Sequence, residues 1–140
     1  MKNEALPDLK RIGLELLLRH GRPVRVSGGS MSPALPDGTA VLLEPCRTDV
    51  LRPGDVVLMS AGRACVLHRF IGARKEKVVT KADASARPDA PWPQDALLGR
   101  MTAIVSHGAR KPFRPGLLQR TWYAFIGCLW LFCLRIKAAV

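Results

Sequence analysis

Two residue types in this chain are suited to chemistry together: a serine in a glycine-rich turn and a histidine inside an apolar run. Ser30 sits in SGGSMSPALPDG (27–38), after two glycines and before Met-Ser-Pro. Glycines let a backbone turn sharply and come close to a substrate. They also leave N–H groups free to point at a developing oxyanion. Gly28, Gly29 and Met31 are therefore the expected substrate and oxyanion positions around Ser30, and the Ser30 N–H is the expected main donor. Pro33 and the Pro36-Asp37-Gly38 turn fix the chain before the next extended run.

A serine hydroxyl attacks poorly unless a base removes its proton. The histidines are His20, His68 and His107. His20 ends an amphipathic segment and His107 lies in a basic, Pro/Gly-rich stretch, and both positions suit exposed side chains. His68 lies in CVLHRFIG, among apolar neighbours, and is the candidate base. A carboxylate behind such an imidazole fixes its tautomer and stabilises its charged form. Asp83 and Asp89, in KADASARPD (81–89), are the candidates for that role.

These residues need a scaffold, and the texture of the chain supplies one. Residues 5–20 carry Leu6, Leu9, Ile12, Leu16 and Leu17 at three- and four-residue steps, which predicts an amphipathic helix stopped by Gly21 and Pro23. From Val24 to Val105 short β-like runs alternate with turns. The runs are 24–27, 39–45, 55–60, 64–72, 77–83 and 97–105, and the breaks include PDG, RPGD and RPDAPWP. This pattern predicts a compact, mainly β core. Residues 106–116 read as a basic linker, and 117–140 as a hydrophobic C-terminal helix. The uninterrupted apolar stretch 122–134 falls short of the ~20 residues of a bilayer span. Trp122, Tyr123 and Trp130 suit an interface, so membrane-surface contact is expected instead.

The formal net charge is +11, from 22 Lys+Arg against 11 Asp+Glu. Such a balance favours an anionic partner. The cations are scattered, with no recognition helix or aromatic strand pattern among them, so no nucleic-acid partner is expected. Cys46, Cys65, Cys128 and Cys133 form no CxxC pair and no zinc-spaced cluster, so neither a metal nor another cofactor is expected.

The order of SGGSMSPAL (27–35), RPGDVVLM (52–59), VLHRFIG (66–72), TKADASARPD (80–89) and LLGRMTAIV (97–105) resembles the successive boxes of the signal peptidase I family. The resemblance covers residues 24–105 and implies a signal peptidase/LexA-like β core, here flanked by the N-terminal (1–23) and C-terminal helices. Most bacterial members pair the serine with a lysine. Archaeal, endoplasmic-reticulum and sporulating-bacterial members place a histidine there, and His68 fills that position before Arg69. The resemblance thus implies a serine endopeptidase cutting extended peptides or precursor proteins after a small residue, at a membrane or in the cytoplasm. Asp89 matches the second aspartate of that type, the expected orienter, and Asp83 shapes the site or shares the role. Several positions depart from the pattern. Gly28 replaces a hydroxyl residue common in bacterial members, Ala82, Ala84 and Ser85 replace a Gly and two Asn, and the usual N-terminal anchor gives way to the amphipathic segment. Two alternatives stay open: a degenerate peptide-binding or membrane-scaffold member, and a LexA-like self-cleaving peptidase. His68 and the short region before Ser30 weigh against the second.

Overall fold

The computed structural model describes residues 12–13, 15–61 and 64–139. The protein is mainly β. Its eight strands are β1 (Val24–Arg25), β2 (Ala40–Glu44), β3 (Val56–Ala61), β4 (Ala64–Arg74), β5 (Lys77–Lys81), β6 (Trp92–Pro93), β7 (Leu97–Ser106) and β8 (Ala109–Pro112). They form one antiparallel sheet in the order β1-β2-β7-β3-β4-β5-β6, with β8 also paired to β7.

The central strand explains why the core has two halves. On β3 the run Val56-Val57-Leu58-Met59 has no polar residue, as expected of a strand covered on both faces. Val56 and Leu58 join Met31, Leu35, Val41, Leu43, Leu98 and Met101 on one face. Val57 and Met59 join Phe70, Val78 and Ala96 on the other. Burying nine apolar side chains below 2% exposure supplies the drive for the fold, at about 1.5–3 kcal/mol for each large aliphatic one.

The segment expected to be a linker (106–116) is instead partly strand. His107 and Gly108, at φ +49° and +78°, turn the chain tightly, and β8 returns along β7 from Ala109 to Pro112. The Gly-Pro-rich composition hid this hairpin, because β8 is exposed along its length and has no apolar alternation. β6 was hidden in the same way, by the prolines on either side of Trp92.

At the N-terminus, residues 12–13 and 15–19 are helical, and Gly21 at φ +62° ends the helix. The rest of the expected 5–20 helix lies outside the described residues. Of its apolar stripe, the described Ile12, Leu16 and Leu17 are exposed, and Leu18 inserts into the core instead.

The C-terminal helix runs from Leu117 to Ala139, 23 residues. At 1.5 Å per residue it is about 35 Å long. Leu117–Arg135 has a mean hydropathy of 1.3, so by length and composition this helix is able to cross a membrane. The apolar stretch 122–134 thus sits inside a longer helix, which Leu117–Thr121 extend at its N-terminal end. One face docks on the body. Gly127 lies against the Ile71 carbonyl, so closely that a Cβ would stand 1.9 Å from that oxygen, and Leu131 packs beside Gly72. Arg120 donates to Asp55 at 3.0 Å. The opposite face holds Leu118, Trp122, Phe125, Leu129 and Phe132, each more than half exposed.

Candidate active site

The pairing register opens a gap in the sheet where the candidate residues gather. β4 pairs with β3 along Ala64–Arg69, but its ladder with β5 starts only at Arg69↔Lys81. Among the described residues, Cys65 to His68 therefore have a strand neighbour on one side alone. β1, at the far end of the strand order, is likewise paired only to β2. A cleft of about 220 Å³ opens against both edges. Val24, Val26, Leu58 and Leu67 are among its lining residues, with Ser27 and Ser30 at its polar side.

Ser30 is exposed in this cleft. Its turn is held by Asp37, whose carboxylate accepts the Gly28 N–H at 2.8 Å, with Gly28 at φ +87°. That bond corrects one expectation, because the Gly28 N–H is already spent on Asp37 and is not free for an oxyanion. Gly29 and Ser30 sit further along the same turn, exposed. The Met31 side chain is fully buried in the core, so it anchors the turn and does not touch the cleft.

His68 follows Leu67 in β4 but is not itself a lining residue of the cleft, and it is largely buried, its side chain 12% exposed. Its Nδ1 lies 2.5 Å from Asp89 Oδ2. An ionised carboxylate only accepts, so Nδ1 carries the proton and Nε2 is left as an acceptor. Asp89 is itself held: its N–H donates to the Thr80 carbonyl at 2.8 Å, and its Oδ2 accepts the Thr80 hydroxyl at 2.7 Å. Thr80 in turn accepts the Trp92 Nε1–H at 2.9 Å.

Asp83 does something else. It accepts from Arg69 Nη2 at 2.7 Å and Nε at 3.2 Å, and from the Tyr123 hydroxyl at 3.2 Å. Arg69 is 2% exposed. Its guanidinium also donates to the Gly54 carbonyl at 2.9 Å and lies over the rings of Tyr123 and Phe113. A buried cation costs several kcal/mol in lost hydration unless its donors are met, and here carboxylate, carbonyl and two ring faces meet them. Asp83 thus binds the body to the C-terminal helix, and His68 has Asp89 as its carboxylate partner.

One loop ties the pieces together. Residues 82–89 deliver Asp83 to Arg69 and Asp89 to His68, and the Ala84 N–H donates to the Ser30 carbonyl at 2.9 Å. The serine turn and the histidine are thus clamped by the same segment. The Ser30 hydroxyl and the His68 ring are not hydrogen-bonded to each other in this state. Such bonds are often long or misaligned before substrate binds.

Sequence reasoning missed Thr80, Trp92 and Arg69, and it placed Asp37 only in a turn and Tyr123 only at a membrane interface. Arg69 was the one with a signal, a charge in the middle of an apolar strand. Among the described residues no cluster of His, Cys, Asp and Glu has a metal-binding arrangement. Comparison with protein families, with characterised proteins and with solved structures finds no match.

Proposed function

We propose that this chain is a serine endopeptidase of the signal peptidase I type, with Ser30 as nucleophile, His68 as general base and Asp89 as its orienting carboxylate. The observation that carries the reading is the 2.5 Å contact of His68 Nδ1 with Asp89, on the same 82–89 loop whose Ala84 amide holds the Ser30 carbonyl. The two strand edges at that cleft suit an extended peptide, which adds as a strand through main-chain hydrogen bonds. The small apolar volume between Val24, Val26, Leu58 and Leu67 suits a small side chain next to the cut.

In this mechanism the Ser30 oxygen attacks the scissile carbonyl carbon while its proton passes to His68 Nε2. Asp89 stabilises the imidazolium. The tetrahedral intermediate collapses, the C–N bond breaks, and Nε2 returns the proton to the leaving amine. Water then repeats the sequence on the acyl-enzyme, regenerating the Ser30 hydroxyl. The Ser30 N–H is the main-chain donor suited to the oxyanion.

We further propose that the enzyme works at a lipid surface. Leu118, Trp122, Phe125, Leu129 and Phe132 recur every three or four residues on the helix face turned away from the body. A contiguous exposed apolar stripe of this kind marks a membrane or partner contact.

The test is cleavage of a fluorogenic peptide with an Ala-x-Ala site, in lipid vesicles. Wild type is expected to cut after the second alanine, with Ser30→Ala and His68→Ala inactive. Equal inactivity of wild type and Ser30→Ala across an extended-peptide library sinks the peptidase reading and favours a peptide-binding scaffold.

A further inference from the structure

The hydrogen bonds behind Asp89 have a fixed direction, and the fixing begins at Trp92. An indole N–H is a donor only. At 2.9 Å from Thr80 Oγ1 it therefore compels that oxygen to accept. The hydroxyl proton of Thr80 is then free to point elsewhere, and the Asp89 carboxylate stands 2.7 Å away. Thr80 is completely buried, so no water is there to take that proton instead.

Both side-chain bonds converge on one atom. Asp89 Oδ2 accepts from Thr80 and from His68 Nδ1. The Asp89 N–H is also held by the Thr80 carbonyl. Thr80 thus clamps Asp89 from main chain and side chain at once, which fixes the position of the oxygen that orients the imidazole. The residues arrive from three elements: Thr80 from β5, Trp92 from β6, paired to β5 through Val78↔Trp92, and Asp89 from the loop between them. The short β6 therefore has a purpose beyond closing the sheet edge, since it carries the indole to Thr80.

We infer that Thr80 and Trp92 are positioning residues for the His68–Asp89 pair, acting as a directed chain of donors from the Trp92 indole through the Thr80 hydroxyl to Asp89 Oδ2. The inference rests on the peptidase reading above for its kinetic consequence, but the hydrogen-bond chain itself is a property of the folded protein.

Thr80→Val keeps the shape and removes the hydroxyl, and Thr80→Ser keeps the hydroxyl and removes a methyl. Losing a hydrogen bond to a charged group at this point is expected to lower kcat about 10- to 100-fold in Thr80→Val with KM little changed. Thr80→Ser is expected to recover most of kcat, and Trp92→Phe to lose less than Thr80→Val. In an Asp89→Asn background, Thr80→Val is expected to add almost nothing. Independently of activity, proton NMR reads the hydrogen-bonded His68 Nδ1–H, whose signal is expected to move in Thr80→Val and to stay in Thr80→Ser. Equal kcat in Thr80→Val and wild type, or equal losses in Thr80→Val and Thr80→Ser, overturns the inference. An inactive wild type whose Nδ1–H signal still responds to Thr80→Val removes the peptidase reading and leaves the hydrogen-bond chain standing. An unmoved signal removes the chain.

Discussion

Adding one methyl group at Gly127 is expected to detach the C-terminal helix from the body. Gly→Ala in a helix interior ordinarily stabilises, by about 1 kcal/mol. Here the new Cβ would stand 1.9 Å from the Ile71 carbonyl oxygen and 2.8 Å from its carbon. Both are backbone atoms of β4, and although Ile71 is skipped in the ladder with β5, the paired Phe70 and Gly72 on either side keep it from swinging aside. A close carbon–oxygen contact needs about 3.3 Å, so the helix has to back away by about 1.4 Å. That shift disrupts the Arg120–Asp55 bond at 3.0 Å and the Tyr123–Asp83 bond at 3.2 Å. Overpacking of a tight contact costs about 1–3 kcal/mol, and a hydrogen bond to a charged group contributes about 1.5–3 kcal/mol. Against the propensity gain, the net loss is at least about 3 kcal/mol. For a domain of this size that lowers Tm by about 10 °C or more. Thermal unfolding in mild detergent, followed by circular dichroism, measures it. Cys128→Ala, one residue on and exposed, is the control and should stay within about 2 °C of wild type. A Gly127→Ala protein as stable as wild type, or more so, would refute the docking of this helix on Ile71.

Asp89→Asn and Asp83→Asn should separate in kind. The first is expected to cut kcat by about 10²–10⁴ with little change in Tm, and the second to cost about 3 kcal/mol of stability by leaving Arg69 buried without its counter-charge; peptide cleavage and thermal unfolding on the same samples decide. Burial pushes the Cys46 thiol up to about 11, with Arg100 pulling it down less strongly, so at pH 8 only about one thiol in a thousand is ionised. Iodoacetamide labelling read by mass spectrometry should find Cys46 modified at least ~10-fold more slowly than exposed Cys65. The same raised value has a sign for stability. The folded chain holds the Cys46 proton more tightly than the unfolded one, so this contribution is lost as pH climbs from the ordinary thiol range through about 11. Trp122→Glu with Phe125→Glu should abolish flotation of the protein with anionic vesicles while leaving Tm unchanged, since both side chains face away from the body; undiminished flotation counts against the lipid-facing stripe.

The strands legible in the sequence were those whose side chains alternate or run apolar between turn residues. β1, β2 and β5 fall within the runs that hydrophobic pattern and punctuation predicted, and β3, β4 and β7 overrun theirs by one or two residues at the C-terminal end. β6 and β8 did not announce themselves: β8 is exposed throughout, and β6 is two residues set among prolines, with Trp92 its one side chain packed on the core. Pattern reading detects a run of buried residues, and a strand that is exposed or only two residues long escapes it. The same limit applied to the site. Ser30, His68 and the two aspartates carry reactive groups and were visible as types. Thr80 and Trp92 read as an ordinary strand residue and an ordinary loop aromatic, since a hydrogen bond across twelve positions leaves no local mark.

The division of labour between the two aspartates follows from where the 82–89 loop is anchored. Arg69 directly follows His68, and successive strand residues point to opposite faces. A loop leaving the end of β5 beside Arg69 therefore serves both faces by placing one carboxylate on each. Asp83 takes the Arg69 side, which the C-terminal helix covers through Tyr123, and Asp89 takes the His68 side, which β5 and β6 cover through Thr80 and Trp92. The Ala84 amide between them holds the Ser30 carbonyl. Any displacement of the C-terminal helix that pulls on Asp83 is thus one residue from the serine turn and six from the carboxylate that orients the histidine. A helix whose free face is apolar and whose bound face holds this loop thus couples whatever that free face meets to the geometry of the candidate site.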